Sequence, residues 1–465
     1  MLFRHVDSNQ KKALEELYEL FQLDISRLHA VMVHLRAEID AGLEDDRLVD
    51  LNMIPTFVTG YPTGQEKGTY LALEVAGMDI YCCQVKLEGN SGKLTINQYQ
   101  YKITQDLTSG DDFTVLVDYI VECISDFLVR FGTQPDHIYS MAVSFGFATK
   151  QMGLNSGKIM SLGHGFNYPT GVGVDIVQVL TERINVKGLP IKIVAIANDS
   201  VCTLLAHAYQ HPGTRLGVVH CWGTNCSYYE SARNIVKLQH KSDQDMIINT
   251  EWGNFGSSRR TLPCTWFDRK LDRESINPQY HVFEKMTTSN FLGELVRNVL
   301  IYLIDRDLLF NGESCEAFNR PYTFDTSYMY VIEADMSSDL KDTRTVLEDM
   351  MGITKTSMAD REIVKNVCEL IGHRAAGLVG AALAAIVQHM VIDGVGGLDQ
   401  EGYTIAISGS IYEDYPSFHP HVCKTLKDLI LPDIASKLSV GIVKHNRIVG
   451  AAIVAMMAEK IAAEP

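Results

Sequence analysis

The order of strand-like and helix-like segments predicts an α/β protein made of two similar halves with a cleft between them. Three strand-like runs near the start form a β-meander, and helices and further strands follow it. A second strand-turn-strand begins at Leu216 and is again followed by helices and strands. The chain has 465 residues, of which 46% are hydrophobic and 21% charged, enough for two or three domains with a sizeable core.

Residues 1–50 are predicted to form an N-terminal helix and a lead-in. Apolar residues at helical spacing, among them Leu14, Leu17 and Phe21, predict one amphipathic helix from about residue 9 to residue 40. Residues 51–68 are predicted as a loop. The strands of the β-meander follow at Tyr70 to Val75, Cys82 to Leu87 and Leu94 to Ile103.

Alternating helices and strands complete both halves. In the first half they are a helix at about Phe113 to Arg130, a strand at His137 to Ser144, a helix near Val172 to Glu182 and a strand at Ile191 to Ala197. In the second half they are strands Leu216 to His220 and Ser227 to Glu230 joined by Gly223-Thr224-Asn225, long helices around Ser289 to Leu309 and Asp360 to Met390, strand Tyr403 to Ile407, helix His421 to Leu429, strand Ser439 to Val443 and helix Gly450 to Ala462. Crossing helices are expected to join the halves, because no long Pro/Gly/Ser linker separates them.

Charge and cysteine spacing exclude several classes of function. The chain has 41 basic and 57 acidic residues, a net charge of −16. It therefore lacks the overall positive charge with which proteins bind nucleic acid or an anionic membrane. Its 10 cysteines include no Cys-x-x-Cys pair, so no metal site is predicted and the thiols are expected to be reduced. The longest apolar stretch, Ala375 to Val387, is too short to span a bilayer, and the N-terminus lacks a signal-peptide run. We expect a soluble, cytoplasmic protein without membrane insertion.

Two polar residues stand at the end of an apolar strand. Asn198 and Asp199 follow the strand Ile191 to Ala197 directly and precede a predicted helix. In an open α/β sheet, ligands bind at this carboxyl edge. The alternative interpretation is a helix N-cap, in which a side-chain oxygen accepts hydrogen bonds from free backbone N–H groups. Position alone favours the cap.

Two further carboxylates belong to the same pattern of polar residues. Glu251 lies in a Gly- and aromatic-rich segment, residues 249–256, and Glu284 lies in Phe283-Glu284-Lys285-Met286. Carboxylates and amides on a rigid scaffold can accept hydrogen bonds from several sugar hydroxyls. Taken singly, each carboxylate fits a surface ion pair as well. Their combination with Asn198 and Asp199 favours a ligand site.

Five segments, in order along the chain, carry a resemblance to a known family. They are Met53-Ile-Pro-Thr-Phe-Val-Thr-Gly-Tyr-Pro-Thr-Gly-Gln-Glu-Lys-Gly68, Lys187-Gly-Leu-Pro-Ile-Lys-Ile-Val-Ala-Ile-Ala-Asn-Asp199, Phe283-Glu-Lys-Met286, Glu369-Leu-Ile-Gly-His-Arg-Ala-Ala376 and Gly409-Ser-Ile-Tyr412. In these segments the chain resembles the hexokinase family, in its fungal-like single-unit form, from about Met53 through Ala462.

The resemblance implies a two-lobed α/β fold of the actin-like ATPase type, a duplicated RNase H-like unit that closes over a hexose in the interlobe cleft. A small lobe would span residues 51–208 and a large lobe residues 209–465, with the C-terminal helix packing back on the small lobe. Asp199 would be the catalytic base that deprotonates the 6-hydroxyl of the sugar for attack on the γ-phosphoryl of ATP. The other hydroxyls would be bound by Asn198, Asn225, Glu251 and Glu284.

The first phosphate-binding loop departs from the family pattern. Where the family has Leu-Asp-Leu-Gly-Gly-Thr-Asn-Phe-Arg, this chain has Leu73-Glu74-Val75-Ala76-Gly77-Met78-Asp79-Ile80-Tyr81. Glycines let backbone N–H groups approach phosphate oxygens, while a hydroxyl, a short carboxylate and an arginine organise charge and Mg²⁺. Gly77 is retained as a nucleotide-binding position. Ala76 adds a Cβ, Met78 removes the hydroxyl and Tyr81 removes the cation.

Two other nucleotide segments are partly retained. The family's Gly-Thr-Gly-Thr-Asn is here Cys221-Trp222-Gly223-Thr224-Asn225, which keeps Gly223 and Thr224. The indole of Trp222 would obstruct the triphosphate unless it turns outward. The family's Asp-Gly-Ser is here Ser408-Gly409-Ser410, which keeps Gly409 and Ser410.

The remaining departures lie at the last helix and on the sugar side. The family's later Gly-Ser-Gly aligns with Asn446-Arg447-Ile448, where Arg447 could supply a replacement positive charge to the nucleotide. The family's Ser-Phe-Pro and Thr-Lys-Gly-Phe, which wrap the hexose, are here Gly146-Phe147-Ala148 and Gly163-His164-Gly165-Phe166. Phe147 and His164 are therefore sugar-binding candidates, with His164 equally acceptable as a solvent-facing loop residue.

Three functions remain open. The altered phosphate loops favour a hexose-binding protein of the hexokinase family with weak or lost ATP:hexose 6-phosphotransferase activity and a sugar-sensing role read by a regulatory protein partner. Asp199 favours the alternative, an active hexokinase that phosphorylates glucose or a related hexose at O6 with Mg²⁺ and ATP. The third function is an interaction scaffold that binds neither ligand. We expect glucose as the hexose, and a location in the cytoplasm, with nuclear or mitochondrial-surface association left open.

Overall fold

Sheets of parallel and antiparallel strands form the frame of the molecule. The computed structural model describes residues 4–45, 47, 49–132, 134, 137–162, 165–238, 244–395, 402–443 and 447–463. In chain order the strands are β1 Ile54–Thr59, β2 Lys67–Ala76, β3 Asp79–Gly89, β4 Lys93–Lys102, β5 Tyr139–Phe145, β6 Ala148–Gly153, β7 Ser156–Ser161, β8 Ile191–Ala197, β9 Thr214–His220, β10 Thr224–Ser231, β11 Asp245–Asn249, β12 Tyr403–Ser408 and β13 Leu438–Ile442. One sheet has the order β4-β3-β2-β5-β8, another β1-β11-β10-β9-β12-β13, and β6 pairs with β7.

Helices connect the strands. They are α1 Ser8–Phe21, α2 Ile25–Glu44, α3 Thr114–Phe131, α4 Ile176–Val186, α5 Asp199–Gln210, α6 Trp266–Glu274, α7 Val282–Thr287, α8 Ser289–Ile304, α9 Glu316–Asn319, α10 Thr326–Ala334, α11 Lys341–Thr345, α12 Met358–Ile392, α13 Ser410–Asp414, α14 Phe418–Leu429, α15 Pro432–Ala435 and α16 Arg447–Ala463. The helices and strands predicted between residues 70 and 462 are confirmed, with ends that differ by a few residues. The strands β6, β7 and β11 were not predicted.

The prediction of a single N-terminal helix is wrong, because two helices occupy that region. α1 ends at Phe21, and Gln22 has an extended backbone with φ −70° and ψ 128°. Asp24 then caps α2 by accepting a 2.8 Å hydrogen bond from the N–H of Arg27. An aspartate oxygen satisfies a free N–H of the first turn, so it favours the start of a new helix. The apolar face of α1 is buried, as its spacing predicts.

The prediction of a loop at residues 51–68 is wrong in part, because this segment contains β1 and the start of β2. β1 pairs antiparallel with β11 at the edge of the six-stranded sheet, with Ile54 opposite Asn249. Thr56 Oγ1 donates a 2.7 Å hydrogen bond to the carbonyl of Ile247. A strand from the N-terminal part of the chain therefore completes a sheet whose other strands come from the C-terminal part.

Three parallel strands of the five-stranded sheet end at one edge. β2 pairs with β5, with Val75 opposite Phe145, and β5 pairs with β8, with Ser144 opposite Ala197. The residues that follow each strand therefore lie side by side. In open α/β sheets this carboxyl edge is where ligands bind.

The six-stranded sheet has a corresponding edge. β9 and β12 are parallel neighbours, with Val219 opposite Ser408. β9 turns back into β10 through residues 221–223, so Thr224 belongs to a strand and not to the predicted turn. Gly409 follows β12 at φ +148°, and a Cβ there would lie 1.8 Å from the carbonyl oxygen of His220. Only glycine fits between these two strand ends.

Two apolar helices pack inside the fold. α12 is long and apolar enough to cross a membrane by length and composition, but 83% of its most apolar window is buried, as in the core helix of a globular protein. α16 packs against α5 and against β2, β5 and β8. A Cβ at Gly450 in α16 would lie 1.8 Å from the carbonyl oxygen of Cys202 in α5, so this glycine lets the two helices touch.

Candidate functional site

An amide-carboxylate network connects the two sheets at the ends of β8, β10 and β11. Asn225 Nδ2, at the start of β10, lies 3.1 Å from Asn198 Oδ1, 2.8 Å from Asn249 Oδ1 and 3.1 Å from Glu251 Oε1. Asn249 Nδ2 donates to the same Glu251 oxygen at 2.8 Å. The structure thus brings together three of the predicted sugar-binding residues and adds Asn249, to which no role was assigned.

Asn249 could have been found from its place in the polar segment 249–256, two residues before Glu251. It is the last residue of β11. Glu251 itself has φ +54°, a left-handed conformation that non-glycine residues adopt rarely and that clusters at functional sites. The carboxylate is therefore held in a fixed place by both its backbone and its hydrogen bonds.

Asp199 is the first residue of α5, directly after the end of β8. The cap of this helix is Asn198, whose Oδ1 accepts a 2.9 Å hydrogen bond from the N–H of Ser200. The N-cap interpretation is therefore right for Asn198 and wrong for Asp199. A helix N-terminus favours negative charge, so the carboxylate of Asp199 stands in a favourable field.

Glu284 lies beside this network, at the start of the short helix α7. Its Oε2 accepts a 3.1 Å hydrogen bond from the N–H of Thr224. A Cβ at Gly223 would lie 2.9 Å from that oxygen, and one at Gly253 would lie 3.3 Å from it. The two glycines therefore form the wall against which the Glu284 carboxylate rests.

The carboxylates influence one another. Burial raises the pKa of Glu251 above its usual value, hydrogen bonds from Asn249 and Asn225 oppose that rise, and the charge of Asp199 adds to it. Burial also raises the pKa of Glu284 to about 7, with the N–H of Thr224 opposing and the charges of Glu251 and Asp199 adding. Three acidic groups in one site repel an anion, whereas a neutral polyol donates hydroxyl protons to them.

Phe147 is buried and lies at the same edge. It lines a cavity together with Asn198, Asn249 and Glu251. Its ring contacts Phe145 with a centroid distance of 5.0 Å. The sequence-predicted position of Phe147 next to the polar network is therefore observed, whereas His164 and Gly163 lie outside the described residues.

The first phosphate hairpin is the turn between β2 and β3. Gly77 has φ +58°, and nothing lies within 4 Å of the place where its Cβ would be, so its backbone is open to a ligand. Lys102 in β4 lies opposite Asp79, with Nζ 2.6 Å from Oδ1. Lys102 was not predicted, because it lies on the neighbouring strand and not at position 81, where the family has arginine and this chain has tyrosine. The hydrogen bond with Asp79 raises the pKa of Lys102.

The second phosphate hairpin is the turn between β9 and β10. Trp222 is 69% exposed, so its indole projects into solvent and is not packed in the core. Thr224 is buried, and its Oγ1 accepts a 2.9 Å hydrogen bond from Nε1 of Trp252. Ser289, at the start of α8, donates its backbone N–H and its hydroxyl to the carbonyl of Cys221. The turn is therefore anchored at both ends while Trp222 stands free of the core.

Gly409 and Ser410 lie at the same sheet edge as this second hairpin, because β9 and β12 run parallel. Gly409 caps α13, and Ser410 begins it. Arg447 begins α16, but its side chain lies outside the described part of the chain. The structure thus brings Gly223, Thr224, Gly409 and Ser410 to one edge, and Gly77 lies on the other sheet.

Comparison with known proteins agrees with this arrangement. The sequence matches two family models, both described as hexokinase, over residues 13–209 and 215–457. It is 33% identical to hexokinase-1 of Saccharomyces cerevisiae over 98% of this chain and 94% of that protein. It is 32% identical to hexokinase-1 of Schizosaccharomyces pombe over 96% of this chain and 91% of that protein.

Solved structures give the same result. The fold is similar to that of a hexokinase from Schistosoma mansoni complexed with glucose, with a TM-score of 0.85 and 27% identity over 97% of this chain and 99% of that chain. This confirms the predicted two-lobed α/β fold of the actin-like ATPase type. Family models that match almost the whole chain, together with relatives above 30% identity over nearly the full length of both proteins, establish that the chain belongs to the hexokinase family.

Proposed function

We propose that the chain is an active hexokinase that transfers the γ-phosphoryl group of MgATP to the 6-hydroxyl of glucose or a related hexose. The observation that carries this proposal is the position of Asp199. It begins α5 beside a network in which Asn225 Nδ2 lies 3.1 Å from Asn198 Oδ1 and 3.1 Å from Glu251 Oε1. A binding protein without transfer chemistry would not need a carboxylate at that point.

Most side chains of the site bind the sugar, and one of them accepts its proton. Glu251 and Glu284 accept hydrogen bonds from hydroxyls of the sugar, and Asn198 and Asn225 donate or accept further hydrogen bonds. Asn225 and Asn249 orient the carboxylate of Glu251, and the N–H of Thr224 orients that of Glu284. These contacts place the 6-hydroxyl at the carboxylate of Asp199. Asp199 accepts the hydroxyl proton as the oxygen becomes a nucleophile.

The residues at the two hairpins fit a nucleotide and its metal ion in part. When bound, MgATP supplies the phosphoryl group and the positive charge that neutralises its oxygens. Gly77 offers an open backbone at one hairpin. At the other, Gly223 and Thr224 would line the phosphate site, with the N–H of Thr224 already donated to Glu284. Lys102 supplies a cation next to the Asp79 carboxylate, 2.6 Å away. Gly409 and Ser410 would lie near the remainder of the nucleotide.

Glucose is the first substrate to test. A hexokinase of similar fold was solved in complex with glucose, which supports this choice. Purified chain with glucose, Mg²⁺ and ATP is expected to form ADP and glucose 6-phosphate in stoichiometric amounts. Glucose binding measured by calorimetry together with an absence of product, at enzyme concentrations where an ordinary hexokinase reacts to completion, would contradict the proposal.

A specific observation favours a second candidate, a hexose-binding protein with weakened phosphoryl transfer. Ala76, Met78 and Tyr81 stand where the family has a glycine, a hydroxyl and an arginine, and Asp79 is already paired with Lys102. Losing one preorganised donor costs about 10²- to 10³-fold in rate. This candidate predicts glucose binding with slow turnover, and a regulatory role would then require a protein partner that reads the sugar-bound state.

The pKa of Glu284 predicts the pH dependence of sugar binding. Its pKa of about 7 in the free protein lies above its usual value of 4.5, so the carboxyl is protonated below pH 7 and ionised above it. The ionised form accepts hydroxyl hydrogen bonds, so glucose affinity should rise about tenfold from pH 6 to pH 8. Calorimetry at several pH values measures this. Glu284→Gln, which cannot ionise, should weaken binding and flatten the profile; an unchanged slope in that variant would assign the titration to another group.

The exposed indole of Trp222 gives a second test of the hairpin. Because Trp222 is 69% exposed, Trp222→Thr should change the free energy of unfolding by less than about 0.5 kcal/mol. If the indole obstructs the triphosphate, this variant combined with Cys221→Gly should bind ATP several-fold more tightly. Calorimetric titration with a nonhydrolysable ATP analogue measures the change. Equal affinity in the variant and the original chain would show that the obstruction interpretation is wrong.

A further inference from the structure

His389, near the end of α12, is buried among carboxylates from three other parts of the chain. The residue is 2% exposed. Its Nε2 lies 2.6 Å from Oε2 of Glu230 in β10. Its Nδ1 lies 3.1 Å from Oδ1 of Asp40 in α2 and 3.3 Å from Oδ2 of Asp393, one turn further on. Glu230 lies on the same strand as Asn225, β10, but the cluster shares no residue with the proposed sugar site.

Both carboxylate oxygens of Glu230, which faces Nε2 of His389, have hydrogen-bond partners. Glu230 is completely buried, and its Oε1 accepts hydrogen bonds from Asn234 Nδ2 at 2.8 Å and from the N–H of Ser231 at 2.9 Å. Its Oε2 accepts from the hydroxyl of Tyr228 at 2.7 Å. A carboxylate so arranged accepts a hydrogen bond from the N–H at Nε2 of the imidazole. The ring is therefore held in the tautomer that leaves Nδ1 as the acceptor.

The opposite side of the ring lacks a donor. Nδ1 of His389 is buried and makes no hydrogen bond within the described part of the chain. Nδ1 and one carboxylate oxygen each of Asp40 and Asp393 lie within 4.8 Å of one another. All three atoms carry lone pairs, and their mutual repulsion requires a positive charge between them.

The electrostatics at the ring agree with this requirement. Carboxylate oxygens of Glu230, Asp40 and Asp393 lie 2.6, 3.1 and 3.3 Å from the ring nitrogens, so the ring is surrounded by negative charge. A proton on Nδ1 is one way to supply the positive charge. A metal ion is the other, because a neutral imidazole and two carboxylates form a metal-binding set.

We infer that Asp40, His389 and Asp393 form a binding site for a divalent cation of the Zn²⁺ class. An imidazole nitrogen favours Zn²⁺ over Mg²⁺ or Ca²⁺, which take oxygen ligands. Glu230 has the position of the outer carboxylate that orients a metal-ligating histidine. The side chains of Asp40 and Asp393 are 55% and 34% exposed, so an ion can enter from solvent and keep water in its remaining positions.

The bound ion would connect α2 to the end of α12. Asp40 is contributed by α2, and the other two ligands lie at the C-terminal end of α12 and just beyond it. A chain segment bound this way is stabilised by the free energy of metal binding. The role is therefore structural and independent of the sugar site, so it stands whether or not the chain phosphorylates hexose.

The test uses the full chain, stripped of metal with EDTA and dialysed. Calorimetry with ZnCl₂ should give one tight site per chain, Co²⁺ should give a visible absorption band from nitrogen and oxygen ligands, and Zn²⁺ should raise the Tm. The double variant Asp40→Asn/Asp393→Asn should lose the tight site, the band and the Tm shift. Glu230→Gln should retain the site but weaken it roughly 10- to 100-fold.

The controls distinguish a specific Zn²⁺ site from binding at other exposed aspartates, from misfolding and from a protonated His389. Asp428→Asn/Asp433→Asn removes two exposed aspartates elsewhere and should leave Zn²⁺ binding unchanged. Circular dichroism of the metal-free variants shows whether each one folds, and because Asp40 and Asp393 are partly exposed, their replacement by asparagine leaves the core intact. Absence of a tight site in the stripped chain, or equal Zn²⁺ affinity in the Asp40→Asn/Asp393→Asn variant, would overturn the inference and leave a protonated His389 as the explanation of the cluster.

Discussion

Asp199→Asn is expected to lower kcat for glucose phosphorylation by about 10²- to 10⁴-fold, the range attributed to a positioned general base. The amide has nearly the same shape as the carboxylate but cannot accept the hydroxyl proton. Glucose affinity should change by only a few-fold, because Asn198, Asn225, Glu251 and Glu284 still bind the other hydroxyls. The loss should therefore appear in kcat and not in the Kd for glucose.

The local structure indicates that Asp199→Asn removes the carboxylate without removing the cap of α5. The cap of α5 is Asn198, which bonds the N–H of Ser200 at 2.9 Å, so the helix start does not depend on the Asp199 side chain. Asp175→Asn is a matched control. Asp175 also stands at a helix start, where it caps α4, but it is remote from the polar network. Steady-state kinetics of the two variants, with thermal unfolding as a check, measures the difference.

The outcome that would contradict the role of Asp199 is specific. A kcat within about fivefold of the original chain would show that another group accepts the proton, or that proton transfer is not part of the slow step. Equal losses in Asp199→Asn and Asp175→Asn would point instead to a defect in folding. A large loss confined to Asp199→Asn would assign the base.

Four residues of the candidate site could be predicted because each belongs to a short contiguous pattern. Asn198 and Asp199 follow a mostly apolar strand, so their place at the carboxyl edge follows from the strand itself. Glu251 lies in the Gly- and aromatic-rich segment 249–256, and Glu284 lies in a segment that carries the family resemblance. The strand β8 was predicted with its observed bounds. Its seven mostly apolar residues lie between a proline and a polar pair, which fixes where the strand begins and ends.

Features that depend on pairing between distant segments were not predictable. β1 joins a sheet whose other strands begin after residue 213, and nothing in residues 54–59 indicates that partner. The pair of Lys102 and Asp79 depends on the register of β3 and β4, which a sequence pattern leaves open. The break between α1 and α2 has a local cause that the prediction did not include, since Asp24, inside the predicted helix of residues 9–40, caps α2.

The His389 cluster belongs to the same class of missed features. The prediction of no metal site rested on the spacing of the cysteines. The ligands proposed here come from α2 and from the end of α12, and the supporting carboxylate of Glu230 comes from β10. Only His389 and Asp393, four residues apart, share a helical turn, which is too common a spacing to predict a site.

Restoring the family residues at the first hairpin should increase catalysis. The triple variant Ala76→Gly, Met78→Thr and Tyr81→Arg is expected to raise kcat/KM for ATP by about 10²-fold or more, since one preorganised donor to a phosphoryl group is worth about 10²- to 10³-fold. The glycine removes a Cβ next to the open backbone of Gly77. The threonine returns a hydroxyl, and the arginine returns a cation with fixed geometry.

The hairpin can accept these changes. The side chains of Met78 and Tyr81 are only partly buried, and Tyr81 loses one hydrogen bond, from Gln100 Nε2 at 3.2 Å. Ala76→Gly at the end of a strand costs about 1 kcal/mol or less. Lys102 and Asp79 remain in place, so the variant adds groups to an existing cation and carboxylate.

Kinetics at saturating glucose with varied ATP measures the gain. Tyr99→Arg is the control, because it adds a positive charge at a partly exposed position of the same sheet, on β4 opposite Cys82 and away from the turn at Gly77. It should leave kcat/KM for ATP nearly unchanged, since exposed charges at a distance are screened by salt.

Two outcomes of the triple-variant experiment separate the candidate functions. A gain confined to the triple variant means that the natural residues at positions 76, 78 and 81 weaken transfer in a site that is otherwise complete. No gain, with glucose phosphorylated by the original chain, means that these residues do not limit transfer, and it favours the active hexokinase.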